Sequence, residues 1–217
     1  MSIFAFWRST IGKKIVMAVS GLIMYGFVFA HVAGNLLVFA GPARINAYGA
    51  FLKSTGELLW IARLVLLIAV ILHIISAVQL TAIDRAARPV AYARRKYQAA
   101  SLASRTIRWG GVLLAVFIVY HLLHFTVGTV HPSFSETDIY HNIVSGFAVW
   151  PVAVFYLLAM LALGLHLYHG GWSSMRTLGL SKPSPNPLHH RITLVLAVLV
   201  AGLFATIPLA VLFGVLK

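Results

Sequence analysis

Cysteine is absent from this 217-residue chain, and acidic residues are scarce. Without a thiol, the chain cannot form disulfides, thiolate metal sites, a cysteine nucleophile or a thioether link to a cofactor. The sequence has 4 Asp and Glu against 17 Lys and Arg, which gives a formal net charge of +13. Because these charges lie between apolar segments, we expect the partner of the basic surface to be membrane lipid and partner subunits, not nucleic acid.

Long polar segments are also missing, since 60% of the residues are hydrophobic and only 10% are charged. This composition is typical of integral membrane proteins. A helix needs about 20 apolar residues to cross the hydrocarbon. Five segments satisfy this requirement, so we expect an all-α integral membrane fold in which residues 1–217 form a single membrane domain. The predicted spans are residues 15–40, 58–83, 107–130, 147–172 and 192–216.

Basic residues are concentrated on one side of the predicted spans, which orients them in the membrane. The positive-inside rule places the N-terminus in the cytoplasm and the C-terminus outside. Lys13 and Lys14 precede the first span as in a signal peptide, but its apolar run is long for one, so we expect a retained helix. The basic side collects Arg8, Lys13, Lys14, Arg85, Arg88, Arg94, Arg95, Lys96, Arg105, Arg108, Arg176, Lys182 and Arg191.

The segments between the spans are short. We expect Asp84–Arg108 and His131–Gly146 to be loops that do not fold alone. The proline-rich stretch that starts at Lys182 predicts a stiff connector ahead of the last span.

Histidine lies inside each of the first four spans, where an imidazole needs a polar partner, a water cavity or a metal. With a rise of 1.5 Å per residue, His31 lies about 24 Å from the cytoplasmic end and His121 about 20 Å. His73 lies about 12–15 Å from that end and His166 about 9 Å. The depths predict an outer pair, His31 with His121 or His124, and an inner pair, His73 with His166.

Neutral imidazole is a good axial ligand of haem iron. One buried histidine on each of four helices is the number that two haems with two imidazole ligands each require. Taken singly, each of these histidines could instead form a hydrogen bond between helices. We expect structural or solvated roles for the remaining loop histidines: His131, His141, His189 and His190.

Several stretches resemble one family of membrane subunits. They include Ser20-Gly21 with His31-Val-Ala-Gly-Asn35, Arg63 with His73-Ile-Ile-Ser-Ala77, Tyr120-His121-Leu-Leu-His124-Phe125 and His166-Leu-Tyr-His-Gly-Gly-Trp-Ser173. They are similar to the membrane anchor of succinate dehydrogenases and fumarate reductases, in the single-chain, five-helix, dihaem cytochrome b branch. The similarity runs from the first span to about Leu180.

The resemblance implies two b haems as cofactors. Their axial ligands would be His31 and His121 for the outer haem and His73 and His166 for the inner haem, with His124 and His169 as the alternatives one turn away. In one dihaem relative, a glutamate linked to transmembrane proton movement precedes the fourth-helix ligand by two positions. Gly164 stands at that place here.

The resemblance also implies partners and a location. A flavoprotein would oxidise succinate, and an iron–sulfur protein would pass the electrons to this subunit, which itself carries no dicarboxylate chemistry. The acceptor would be a quinone, and menaquinone fits a path in which electrons cross both haems. The expected location is a bacterial cytoplasmic membrane, spanned several times.

Two sets of polar residues are candidates near the haems. Glu57 opens the second span on the outer side and could donate protons to a quinone, or it could complement the dipole of its own helix. Arg85, Arg108 and Arg176 could pair with the propionates of the inner haem.

Two other interpretations stay open. One is the dihaem anchor of a nitrate reductase, formate dehydrogenase or hydrogenase. The other is a transporter that relays protons through histidines.

Overall fold

In a computed structural model, which describes residues 3–87, 90, 100–181 and 187–217, the described chain forms helices and no strands. Two of the long helices continue into a differently wound turn. The helix Thr10–Asn35 is followed by a 3₁₀ turn, Leu36–Ala40, and the helix Leu102–Leu122 by a π-helical turn, Leu123–Val127. The helices are α1 (Ile3–Arg8), α2 (Thr10–Asn35), α3 (Pro42–Ser54), α4 (Glu57–Ala86), α5 (Leu102–Leu122), α6 (Ile139–Ala148), α7 (Trp150–Thr177) and α8 (Pro187–Leu212).

Five of these helices are long and apolar enough to cross a membrane: α2, α4, α5, α7 and α8. Their most apolar windows are only 6–28% buried within the protein. Apolar surface on this scale is unfavourable in water, whereas lipid is a suitable solvent for it. The prediction of an all-helical, multi-pass membrane protein with five spans is confirmed at this level.

The ends of the spans differ from the prediction, because polar caps outside the apolar runs start the helices. The first span begins at Thr10 instead of residue 15, since the Ser9 hydroxyl accepts the Gly12 N–H at 2.9 Å. The third begins at Leu102 instead of residue 107, capped by Ser101. α4, α7 and α8 likewise extend into polar or basic residues at the end near Arg85, Arg176 and Arg191, which we call the basic end.

Two short helices that the sequence analysis did not predict lie at the opposite end, which we call the far end. They are α3 and α6, and the expectation of a loop over His131–Gly146 is wrong for its second half, where α6 begins at Ile139. The Asn46 amide ties them together. It donates to the Asp138 carboxylate at 3.0 Å and accepts the Tyr140 N–H at 3.1 Å.

Parts of the basic end lie outside the described residues. These parts are most of the predicted connector, residues 182–186, and the basic residues Arg88, Arg94, Arg95 and Lys96.

The long helices pack in a definite order. α2 packs against α4, α5 packs against α7, and the two pairs meet where α2 contacts α7. α8 covers α7 and touches α2. Within the described residues, α4 packs closely against α2 alone. The buried core lies at the far end, around Val38, Phe147 and Tyr156, and between α7 and α8.

Asp138 offers a test of the far-end cap. As the N-cap of α6 it accepts the His141 N–H at 2.9 Å, and this bond together with the Asn46 amide lowers the pKa of its carboxyl. We expect Asp138→Ala to destabilise the protein by about 1 kcal/mol, the usual loss for a cap. Thermal unfolding in detergent at pH 7 measures the change.

The pH dependence follows from the sign of that shift. A lowered pKa stabilises the fold above the unfolded pKa of about 4, and the stabilisation is lost as the pH falls through the lower folded value. The difference between wild type and Asp138→Ala should therefore be constant from about pH 5 to 8 and shrink toward about pH 3. Glu136→Ala, which removes an exposed carboxylate from the same turn, is the control. An equal loss in that variant would contradict a specific cap.

Candidate cofactor site: two facing histidine pairs

The outer histidine pair joins α2 and α5 across the bundle. The rings of His31 and His121 have centroids 5.8 Å apart and planes at 84°. Aromatic side chains surround them: Phe27 stacks on His31 at 5.1 Å, and Phe117 lies 5.7 Å from His121. The pair therefore sits in an apolar setting with few alternative polar partners.

The inner pair joins α4 and α7. The rings of His73 and His166 have centroids 6.0 Å apart. His73 Nδ1 lies 3.0 Å from the Met17 carbonyl oxygen, which orients its ring from α2. Gly21 permits this approach, because a Cβ there would lie 3.2 Å from His73 Cε1. The Nδ1 atom of His166 is buried and has no hydrogen-bond partner among the described residues.

Both separations suit two imidazoles on opposite sides of one metal ion. With a metal–nitrogen bond of about 2 Å and about 1.2 Å from the nitrogen to the ring centre, such centroids would be about 6.4 Å apart, slightly more than the 5.8 and 6.0 Å found here. Within the described residues, no group of three or more His, Asp or Glu side chains could hold an ion unaided. Two imidazoles fit a cofactor that brings its own equatorial donors, as the porphyrin of a haem does.

The two pairs lie at different levels of the bundle. Three helices show this separation. Each carries a residue beside one histidine pair and, ten positions later, a histidine of the other pair. At 1.5 Å per residue, this spacing separates the levels by about 15 Å. The pairs of positions are Gly21 and His31 on α2, Gly111 and His121 on α5, and Tyr156 and His166 on α7.

The two alternative histidines have other neighbours. His124 lies in the π-helical turn, is completely buried, and has its ring 4.9 Å from that of His131. The His169 ring lies 5.6 Å from Trp172, toward the basic end. The rings that face His31 and His73 are therefore those of His121 and His166. His124 and His169 lie one helical turn farther along the same segments.

Tyr156 is the residue near the site that the sequence analysis missed. Its hydroxyl oxygen lies 3.3 Å from His121 Nδ1 and 3.1 Å from His124 Nδ1, so it links both imidazoles. Nothing in the sequence distinguishes it from the others among the eight tyrosines, because its role depends on which way three side chains point.

His131, His124 and Tyr156 form a cluster at the far end, which we call the far-end cluster. His131 Nε2 lies 2.8 Å from the Asn142 carbonyl oxygen, and its Nδ1 accepts the Ser133 N–H at 3.1 Å. These two bonds require a neutral ring with its proton on Nε2. Gly146 leaves room for both rings, because a Cβ there would lie 2.9 Å from His124 Cε1 and 3.0 Å from His131 Nε2.

The other three histidines expected in loops lie in helices instead, His141 in α6 and His189 and His190 in α8, and they have polar or aromatic neighbours. His141 Nε2 lies 3.0 Å from the Ser133 hydroxyl, and His189 Nδ1 lies 3.1 Å from that of Ser181. The His190 ring lies 4.6 Å from Trp172.

The charged candidates lie at the two ends. Arg108 pairs with Asp84 at 2.7 Å, with both side chains about half exposed, and so links α4 to α5 at the basic end. The Arg176 guanidinium lies 5.5 Å over the Trp172 ring, and Arg85 is in the last turn of α4. Glu57 is exposed as the first residue of α4 at the far end.

Comparison with known protein families, curated proteins and solved structures gave no match to this chain.

Gly146→Ala tests the close packing of the far-end cluster. The new methyl group would overlap the rings of His124 and His131, and His124 is completely buried and cannot move aside. We expect a loss of about 1–3 kcal/mol, the usual cost of overpacking, measured by thermal unfolding in detergent. Gly26→Ala in α2 is the matched control, because a methyl group there would have no neighbour within 4 Å outside its own stretch of helix. Equal effects of the two changes would contradict the close fit.

Proposed function

We propose that this chain is the dihaem cytochrome b membrane anchor of a succinate:quinone oxidoreductase. Two histidine pairs facing each other at metal-bridging distance, on two levels of a membrane bundle, carry the proposal. The family resemblance of the surrounding motifs supports the assignment to this class of enzyme. In this role the chain transfers electrons and reduces quinone, and it does no dicarboxylate chemistry itself.

Each pair would supply both axial ligands of one haem: His31 and His121 for the outer haem, and His73 and His166 for the inner. Haem iron provides reversible one-electron transfer, and two imidazole ligands leave it no open position for oxygen. The helices would hold these imidazoles facing one another, with His73 also bound to the Met17 carbonyl oxygen. The aromatic rings of Phe27 and Phe117 keep the outer pair away from water.

The spacing of the two levels suits an electron path along the bundle. The two histidine levels lie about 15 Å apart along the helices, and haems held at these levels would supply two successive one-electron carriers. Electrons that enter at the basic end would reach the inner level first and then the outer level.

The basic end is the proposed docking side for the partner subunits, a flavoprotein and an iron–sulfur protein. Its cationic surface complements acidic partner surfaces and anionic lipid. Arg85, Arg108 and Arg176 are the proposed partners of the inner haem propionates. Arg108 would have to share its guanidinium with Asp84 or exchange partners.

The quinone would bind at the far end, near Glu57. Reduction of a quinone takes up two protons, so its site needs a polar group in contact with water, and Glu57 is exposed. Farther along α4, Arg63 lies 4.9 Å over the Trp60 ring. Menaquinone is the proposed substrate, because electrons that cross the whole membrane exchange about 2.3 kcal/mol per 100 mV, which offsets its low potential.

The haem content of the purified chain tests the core of this proposal. We expect about two haems per chain by pyridine haemochrome assay and a reduced b-type spectrum. His31→Ala and His73→Ala should each remove one haem, and the two lost haems should differ in midpoint potential. His141→Ala, at an exposed histidine in the first turn of α6, is the control and should keep both.

A colourless protein from a haem-replete host would refute the dihaem assignment. Loss of the same haem in both variants would refute the pairing. Co-purification of a flavoprotein active on succinate would separate this anchor from those of nitrate reductase, formate dehydrogenase and hydrogenase.

Glu57→Gln tests the quinone site. Removing a proton donor should slow electron transfer from the reduced haems to a menaquinone analogue by about 100-fold, within the usual range for acid–base groups. The haem content should be unchanged. Glu136→Gln removes the charge of an exposed far-end carboxylate that is not on α4, and it should transfer electrons at the wild-type rate. An unchanged rate in Glu57→Gln would place the proton donor elsewhere.

A further inference from the structure

The Tyr156 hydroxyl lies between two imidazole nitrogens in a buried part of the molecule. It is 3.3 Å from His121 Nδ1 and 3.1 Å from His124 Nδ1. Tyr156 itself is 6% exposed, and the rings of Phe117 and Phe147 pack edge-on against it at 5.0 and 4.9 Å. Water is therefore a poor competitor for these hydrogen bonds, and the three side chains must satisfy one another.

The single hydroxyl hydrogen gives this chain of bonds a direction. An imidazole that binds a metal through Nε2 carries its proton on Nδ1. His121 in this state donates from Nδ1 to the Tyr156 oxygen. The hydroxyl then donates its own hydrogen to His124 Nδ1, so His124 carries its proton on Nε2. His124 is thereby held as an acceptor toward Tyr156. Its Nε2 lies at the Gly146 and His131 side of the ring and has no hydrogen-bond partner among the described residues.

The other three paired histidines lack this arrangement. His73 Nδ1 has the Met17 carbonyl oxygen at 3.0 Å and the Ser20 hydroxyl at 3.4 Å, and that hydroxyl lies 2.7 Å from the Val16 carbonyl oxygen of its own helix instead of from a second imidazole. His31 lies near the Asn35 amide, with Nδ1 at 3.3 Å. His166 Nδ1 has no partner among the described residues. The two pairs therefore differ in the groups behind their rings, although the distances between facing rings are nearly equal.

We propose that Tyr156 is a positioning residue that selects His121 over His124 as the outer ligand and strengthens electron donation by His121. The proposal rests on the proposed function. A hydrogen bond from Nδ1–H to an acceptor orients a ligating imidazole and raises its basicity. Donation of the hydroxyl hydrogen to His124 makes the Tyr156 oxygen a better acceptor. A more basic ligand stabilises the oxidised iron, so Tyr156 lowers the midpoint potential of the outer haem.

Tyr156→Phe removes the hydroxyl and keeps the ring. A redox titration followed at the α-bands should show the outer haem shifted to a more positive potential. This haem should also be lost about 10-fold more readily on dilution in detergent, in line with other ligand-orienting groups. The inner haem of the same molecules should keep its potential and reports that the bundle is folded. His31→Ala and His73→Ala identify which potential belongs to which haem.

Tyr168→Phe is the matched control. It removes a hydroxyl from the same helix, and that hydroxyl lies 3.4 Å from His190 Nδ1, so neither potential should move. His124→Leu is the second variant. It removes the acceptor of the hydroxyl hydrogen, and we expect a smaller positive shift with the outer haem retained.

The following results would overturn the inference and leave the proposed function standing. They are an unchanged outer potential in Tyr156→Phe, shifts of both haems together, and loss of the outer haem in His124→Leu, which would make His124 the ligand. Loss of both haems in Tyr156→Phe would also contradict it, since the hydroxyl would then serve the whole bundle. Absence of haem from the wild-type protein would instead refute the proposed function.

Discussion

An imidazole in hydrocarbon must satisfy two ring nitrogens, and this requirement organises the bundle. Water cannot serve as the partner, so each nitrogen faces a protein group or a ligand, or remains unsatisfied at a cost of about 1–3 kcal/mol. The structure places His31 opposite His121 and His73 opposite His166, so that in the proposed function one ligand between the rings would serve both members of a pair. The contacts between α2 and α4, α5 and α7, and α2 and α7 set these rings across the bundle from one another.

The two ends of the molecule differ in packing and charge. The far end is closed by α3 and α6, which are tied together through Asn46 and Asp138 over a core of apolar side chains. Its histidine pair has a dense aromatic and hydroxyl environment. At the basic end, Asp84 and Arg108 form an exposed ion pair, and such pairs contribute little to stability. The far end is therefore packed and closed by short helices, whereas the basic end presents exposed charged side chains.

Much of this arrangement could be predicted from the sequence, because helical rise and hydropathy are regular. The five spans, the two levels of histidine and the pairing of His73 with His166 follow from counting residues along apolar segments, which leaves His121 and His124 both open as the partner of His31. The caps at Ser9 and Ser101 could not be placed by hydropathy, since they lie outside the apolar runs. α3 and α6 were missed because a short helix that lies against a bundle has no long apolar segment. The His121 ring faces His31, and the Tyr156 hydroxyl lies near both His121 and His124, because of side-chain directions around a π-helical turn, which periodicity does not encode.

The attachment of α4 along one edge bears on how the molecule is assembled. Only 6% of its most apolar window is buried, and its close neighbour among the described helices is α2 alone. After insertion into the bilayer, α4 can therefore hinge away from α7 without breaking a large interface. In the proposed function, a haem held by His73 and His166 would attach this helix to the bundle a second time. Biogenesis would then have a natural order, in which α2, α5, α7 and α8 settle first and α4 docks when the inner group is loaded.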